Sequence, residues 1–228
     1  PEVIDLINFL NKCGANIKIK HRTITIKGVE ELILEDYKVI PDRIEAGSYI
    51  LASMATKGRL RLNNFNPNDL TFPLKIYQDM GLKIKKISKT SYEFNCKRLK
   101  PIKKISTKEF PGYPTDLQAQ LIATQLKSAL KSKVVENIFE NRFIHIPELR
   151  RFGANLSIIG KTVTIHKTPQ LFGAEVMATD IRASFSLIIA AMMSKGTTVI
   201  NRIYHLDRGY EDFDLKLKKC GVNISRKK

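Results

Sequence analysis

The sequence predicts an α/β protein that keeps its helices inside and its sheets outside, and three observations carry that expectation. The first is a repeat. Units opening Pro41-Asp42-Arg43-Ile44-Glu45-Ala46, Pro114-Thr115-Asp116-Leu117-Gln118-Ala119 and Ala178-Thr179-Asp180-Ile181-Arg182-Ala183 each lead into an apolar, helix-like stretch. The second is the character of those stretches. Tyr49-Ile50-Leu51-Ala52 and Leu187-Ile188-Ile189-Ala190-Ala191-Met192-Met193 are apolar nearly all round, as a helix buried on every side must be. The third is alternation. Asn16-Ile17-Lys18-Ile19 and Asn155-Leu156-Ser157-Ile158 switch between apolar and polar, so these strands are expected to bury one face only.

The remaining elements follow the same order in each unit. A β-like run comes after the first helix, at Arg59–Leu62, Lys133–Val135 and Thr197–Ile200. A second helix then ends at glycine, at Met80-Gly81, Phe152-Gly153 and Cys220-Gly221, and Cys13-Gly14 repeats that ending at the front. Glycine suits these positions because a helix C-terminus commonly needs a left-handed residue. Hairpin partners follow at Thr23–Ile26 and, beyond the Gly160-Lys161 turn, at Thr162–Ile165. Asp42 with Glu45, and Thr115 with Gln118, have the spacing of a capping box. Three such units around an axis would bring three helix N-termini to one end, a natural place for anions.

Composition narrows the function classes. The 228 residues suffice for one large domain or two smaller ones, and 43% hydrophobic with 27% charged is ordinary for a globular chain. The longest apolar run, Phe185–Met193, is too short to span a bilayer, and no signal-peptide pattern is present. No membrane partner is expected. The chain opens at Pro1 rather than at Met and is expected to be a piece of something longer. Cys13, Cys96 and Cys220 show no CxxC pair or disulfide framework, so reduced thiols in a cytoplasmic protein, each in a small buried apolar role, are the simplest expectation. We expect neither metal nor cofactor. The net charge of +17 would suit nucleic acid. The lysines, however, are scattered and not interleaved with aromatics, so a general lysine bias is the reading adopted, with no nucleic-acid partner.

Several longer stretches carry a resemblance. They are Pro41–Gly47, Pro114–Gln120, Glu136-Asn137-Ile138-Phe139-Glu140-Asn141-Arg142-Phe143, Pro147–Arg151, Val176–Ser184 and Arg202-Ile203-Tyr204-His205-Leu206-Asp207-Arg208-Gly209-Tyr210-Glu211. In order and spacing, over essentially the whole chain, they resemble the UDP-N-acetylglucosamine 1-carboxyvinyltransferases, an enolpyruvyl transferase family. The resemblance implies an inside-out α/β barrel of βαβαββ repeats, incomplete at the N-terminal side. Residues 1–40 would end the family's second domain, and residues 41–228 would form a three-repeat domain carrying the C-terminal half of the active site.

The implied reaction moves the enolpyruvyl group of phosphoenolpyruvate to the 3-hydroxyl of UDP-N-acetylglucosamine, the first committed step of peptidoglycan synthesis. It needs a base for the sugar hydroxyl and cations for the departing phosphate. By resemblance Asp116 is the proposed base and touches the sugar; otherwise it is a carboxylate serving a helix N-terminus. Arg208 matches an arginine that contacts phosphoenolpyruvate; otherwise it would pair with Asp207 or Glu211. Ile138 matches a position lining the nucleotide site. Thr115, Arg142, Asp180, Arg182 and Asp42 match supporting positions around the cleft.

Two departures from the family pattern matter. No stretch resembles the family's Lys-Asn pair or its mobile cysteine loop, so the chain is expected to be inactive alone. Exposed apolar edges are then expected unless a separate N-terminal half covers them. In the second unit, Ser128-Ala129-Leu130-Lys131 stands where a glycine-containing turn is usual, so Leu130 is expected to strain the turn or lengthen the helix. A non-catalytic UDP-sugar-binding remnant and the shikimate-pathway enolpyruvyl transferase are the alternatives.

Overall fold

A computed structural model describes residues 1–128 and 130–227, and the chain divides into two compact units, Pro1–Asp42 and Arg43–Lys228. In the smaller unit, helix α1 (Glu2–Lys12) precedes an antiparallel hairpin of β1 (Asn16–Lys20) and β2 (Thr23–Lys27). The Asp5 carboxylate holds the following segment: it accepts from Tyr37 Oη at 2.7 Å and from the Ile40 amide at 3.5 Å. That hydrogen bond to Asp5 pushes the Tyr37 hydroxyl above its ordinary pKa. The hairpin departs from the one-buried-face expectation. Neither strand has a buried residue, and Ile19, Ile24 and Ile26 are exposed.

The larger unit is built from the repeat, and its middle copy is complete. Strand β6 (Lys104–Ser106), helix α4 (Gln118–Gln125), strand β7 (Ser132–Val135), helix α5 (Ile146–Arg151) and strands β8 (Leu156–Ile159) and β9 (Thr162–Ile165) run in βαβαββ order. They form one four-stranded sheet in the order β6-β7-β9-β8, with β6 parallel to β7 and the other pairs antiparallel. The first copy supplies helix α2 (Arg43–Ala55), strand β3 (Arg59–Leu62), helix α3 (Thr71–Asp79) and strands β4 (Lys83–Lys86) and β5 (Tyr92–Asn95), a sheet in the order β3-β5-β4. The third supplies parallel strands β10 (Glu175–Met177) and β11 (Val199–Asn201), with helix α6 (Ser184–Met193) between them and α7 (Tyr204–Asp207) and α8 (Phe213–Lys219) after. Among the described residues beyond Gly221 no closing hairpin forms.

The helices α2, α4 and α6 pack on one another at the centre. Every residue of α4 is buried, and Phe185, Leu187 and Ile189 of α6 are fully so. Burying each such side chain contributes roughly 1.5–3 kcal/mol. Gly47 lies against Leu117, Ser48 bonds Gln120, and Leu51 accepts from Thr124; the partners advance together, so α2 and α4 run parallel. The four helix-ending glycines all have positive φ: Gly14 (99°), Gly81 (107°), Gly153 (87°) and Gly221 (88°), as the sequence predicts.

Two local expectations change. Leu130 is exposed and α4 ends at Gln125, so the helix is not lengthened into that turn. Ala129 lies outside the described residues. Cys13 and Cys96 are buried, but Cys220 is exposed, because it caps α8 behind a lysine-rich last turn. No helix among the described residues is long and apolar enough to cross a membrane.

Candidate active site

The loop into α4 and the segment after β7 meet around a buried carboxylate. Glu136 directly follows the last residue of β7, so the period-two pleat that turns Ser132 and Val134 inward carries it inward too, and it is only 2% exposed. A carboxylate there must be saturated with donors. Its Oε1 accepts from Thr107 Oγ1 at 2.8 Å, the Ile138 amide at 2.8 Å and the Phe139 amide at 3.2 Å. Its Oε2 accepts from Thr115 Oγ1 at 2.7 Å. Glu136 therefore fixes the turn that carries Ile138 and the approach to Asp116 together.

Arg142 closes the arrangement from the other side. Its Nη1 donates to Thr115 Oγ1 at 2.8 Å and its Nη2 to Asp116 Oδ1 at 2.5 Å. The guanidinium also lies over the Phe139 ring, 5.0 Å from its centre. This is the rigid fork that arginine offers and lysine does not. Thr115 thus donates to Glu136 and accepts from Arg142, and does not cap the 3-10 turn that it opens; the expected capping box is absent because those partners compete better. Gln118, its expected box partner, instead donates to the Arg142 carbonyl at 3.3 Å. Asp116 is 39% exposed, and its Oδ2 takes no hydrogen bond from any described residue. That oxygen can accept a proton from an incoming hydroxyl. Ile138, 38% exposed, offers an apolar surface on the turn that Glu136 holds, the same carboxylate that binds Thr115.

His145 stands behind this layer. It is fully buried, neither ring nitrogen has a partner, and burial together with the positive charge of Arg142 holds its pKa down at about 3. The imidazole is neutral under ordinary conditions.

A second group gathers at the start of α6. Asp180 Oδ1 accepts from the amides of Arg182 at 2.9 Å and Ala183 at 2.6 Å, so it satisfies donors that a helix N-terminus leaves open. Arg182 Nη1 donates to the Gly209 carbonyl at 3.0 Å, and its guanidinium lies 5.3 Å from the centre of the Tyr210 ring. Gly209 packs so closely on Ile181 that an added Cβ would sit 2.2 Å from its Cγ2. Arg208 is thereby tethered beside α6. Its side chain is exposed and bonds no described residue, and the pairs with Asp207 or Glu211 that sequence alone would allow do not form.

Gln120 joins the two groups. Its Nε2 donates to the Asp116 carbonyl at 2.9 Å, to Ser48 Oγ at 3.1 Å and to Tyr210 Oη at 3.1 Å, while Ser48 and Tyr210 share a 2.8 Å bond. Burial pushes the Tyr210 hydroxyl above its ordinary pKa, so it stays protonated. Thr115, Asp116, Ile138 and Arg142 thus form one cluster, and Asp180, Arg182 and Arg208 another. Asp42 is the last residue of the smaller unit. Glu136, Gln120 and Tyr210 were not singled out from sequence. Glu136 carries the one available signal, a carboxylate directly behind a buried Val-Val pair.

The family model described as EPSP synthase (3-phosphoshikimate 1-carboxyvinyltransferase) matches residues 1–217. The chain belongs to this family. Within the EPSP synthase family, its curated relatives include the UDP-N-acetylglucosamine 1-carboxyvinyltransferases of Pelagibacter ubique, 47% identical over 99% of this chain and 54% of the relative, and of Campylobacter lari, 45% identical over 99% and 54%. The chain spans about half the length of the curated relatives it matches. Among solved structures, the enolpyruvyl transferase NikO of Streptomyces tendae superposes with a TM-score of 0.86 at 25% identity, over 98% of this chain and 54% of that one. EPSP synthase of Acinetobacter baumannii superposes at 0.74 with 15% identity, over 97% and 55%, a likeness of fold. The inside-out α/β barrel architecture of the EPSP synthase family is therefore the fold of this chain.

Proposed function

We propose that this chain supplies the aspartate-and-arginine side of a site that transfers the enolpyruvyl group of phosphoenolpyruvate to the 3-hydroxyl of UDP-N-acetylglucosamine, in peptidoglycan synthesis. The observation that carries the reading is the Arg142 fork across Thr115 and Asp116, which engages Asp116 Oδ1 and leaves Oδ2 without a hydrogen bond from any described residue, on a side chain 39% exposed. Identity of 47% to a relative named for UDP-N-acetylglucosamine, against 15% to an EPSP synthase structure, favours the nucleotide sugar over a shikimate substrate.

The chemistry then runs as follows. Asp116 takes the proton of the sugar 3-hydroxyl while that oxygen bonds carbon 2 of phosphoenolpyruvate. A proton reaches the methylene carbon from an acid that no stretch of these residues resembles. Loss of a proton from that carbon then breaks the bond to phosphate, and the phosphate leaves beside Arg208, whose planar donors suit its oxygens. Ile138 gives the nucleotide an apolar wall. Arg142, Thr115, Asp180 and Arg182 hold these groups in place. Asp42 is assigned to the support of the cleft by resemblance alone.

Turnover needs the acid and the substrate lysine that the resemblance puts outside this sequence, so a separate N-terminal half is the proposed partner. Mixing this chain with the other half of a relative and measuring phosphate release tests the reading. Activity is expected from the mixture and not from the chain alone. Release that survives Asp116→Ala would refute the base assignment. Titration with UDP-N-acetylglucosamine and with duplex DNA at several salt concentrations tests the ligand class: saturable sugar binding with little salt dependence is expected, and a steep salt slope without sugar binding would refute it.

A further inference from the structure

Arg208 has an aspartate as its immediate neighbour in sequence, and yet its guanidinium is unpaired among the described residues. That aspartate is engaged instead by the C-terminal segment. Arg226 donates from Nη1 to Asp207 Oδ2 at 3.0 Å and from Nη2 to Asp207 Oδ1 at 2.5 Å, a two-point pair with the carboxylate. The same Nη2 lies 3.0 Å from Asp214 Oδ1, and the guanidinium sits 5.1 Å from the centre of the Phe213 ring. Glu211, the other acid near Arg208 in sequence, lies 4.0 Å from Lys216 Nζ. Asp207 and Glu211, the two acids that sequence alone would pair with Arg208, thus each face another cation. Phe213 is buried in α8, so the residue that engages Asp207 is itself seated on the core.

We propose that Arg226 is a positioning residue that occupies Asp207 and so keeps Arg208 open for an anionic ligand. An arginine adjoining a competing carboxylate would spend part of its time in an ion pair and would meet phosphate less readily. A two-point pair from a third residue removes that competitor, and the ring beneath Arg226 and the second carboxylate at Asp214 hold it in register. The side chains of Arg226 and Asp207 are 39% and 41% exposed, so the pair adds little stability and its value lies in what it leaves free. The inference rests on the proposed role of Arg208 for the identity of the anion, but not for the pairing itself.

The test reads Arg208 directly. The full chain is treated with phenylglyoxal, which modifies unpaired guanidinium groups, and labelling at each arginine is followed by peptide mass spectrometry. In the parent chain Arg208 is expected to label faster than Arg226. In Arg226→Ala, Asp207 turns to its neighbour and Arg208 labelling is expected to slow about fivefold, the effect of one exposed ion pair. Adding Asp207→Asn to that variant is expected to restore the parent rate, a rescue that loss of packing would not give. Should Arg226→Ala fail to fold, Asp207→Asn alone still decides: it should speed labelling at Arg226 and leave Arg208 unchanged. Equal Arg208 rates in parent and Arg226→Ala, or a slow rate that Asp207→Asn does not restore, overturn the proposal. Phosphoenolpyruvate is then added as a protecting agent. If it fails to shield Arg208 in the parent chain while the labelling pattern holds, the assigned substrate falls and the positioning role stands.

Discussion

Acid should unfold this protein in a way that one buried histidine makes specific. His145 opens α5 with its ring sealed from solvent and without a hydrogen-bond partner, and its folded pKa is about 3 against an ordinary 6.5. The cause is first the burial of the ring and second the charge of Arg142. A folded pKa below the unfolded one means that the unfolded chain binds the proton and the native state does not. The contribution of His145 to stability is therefore complete above pH 6.5 and is lost as pH falls from there toward 3. Each unit of pH within that window costs about 1.4 kcal/mol, so stability near pH 5 is about 2 kcal/mol below its value near pH 8 from this residue alone. For a chain of this size the loss moves a urea midpoint by about 1 M. Other carboxylates also titrate in acid, so the measurement is a difference. Urea unfolding of the parent chain is compared with His145→Leu and His145→Gln near both pH values. The parent should lose about 2 kcal/mol more than either variant. An equal loss in all three would refute the reasoning, for it would mean that the imidazole is protonated in the folded protein or has found a partner.

Three further outcomes follow from particular contacts. Glu136→Gln replaces a carboxylate oxygen by an amide donor facing Thr115 or the Ile138 and Phe139 amides, and should cost about 1–3 kcal/mol in chemical denaturation, with weaker binding of UDP-N-acetylglucosamine by calorimetry. Arg142→Lys cannot bridge Thr115 and Asp116 as a fork; it should leave stability within about 1 kcal/mol, yet weaken sugar binding in the same calorimetric titration. Gly173→Ala would place a Cβ 2.1 Å from the Thr197 carbonyl oxygen, a backbone atom that cannot swing aside, and should lower the midpoint of thermal unfolding by several degrees, about 1–3 kcal/mol.

What the sequence made legible was whatever neighbouring residues decide among themselves. Leu187–Met193 is apolar on every side, so the only stable place for it is the centre, and α6 lies there. Gly81 and Gly153 end their helices with positive φ because the backbone itself requires it. The second strand pair of the middle repeat was equally local, since Gly160 turns Ile159 back onto Thr162. The hairpin at Asn16–Lys27 formed as read, but its burial did not, since burial depends on what covers a sheet and alternation cannot say whether anything does.

The polar groups of the candidate site obey a different logic, and this is why they were mostly hidden. Helix α4 reads as apolar, yet it buries Gln118, Gln120, Thr124 and Gln125. Gln125 Oε1 accepts from the Ile102 amide and from Ser132 Oγ, both at 3.1 Å, and so ties the approach to β6 to the start of β7. Gln120 reaches Ser48 and Tyr210, residues 72 and 90 positions away. Thr115 offered a local capping role and took two distant partners instead, because a buried carboxylate and a guanidinium outbid a single exposed amide. Arg208 shows the same preference in reverse: its adjacent carboxylate is taken by a residue 19 positions beyond that aspartate. A side chain whose polar needs are met next door does not need the fold, and one whose needs are met from another repeat exists only because of it. The site is made of the second kind. Aspartate at 116 and arginine at 208 could be named from a motif, but that one would be gripped and the other left open is a property of the assembled barrel.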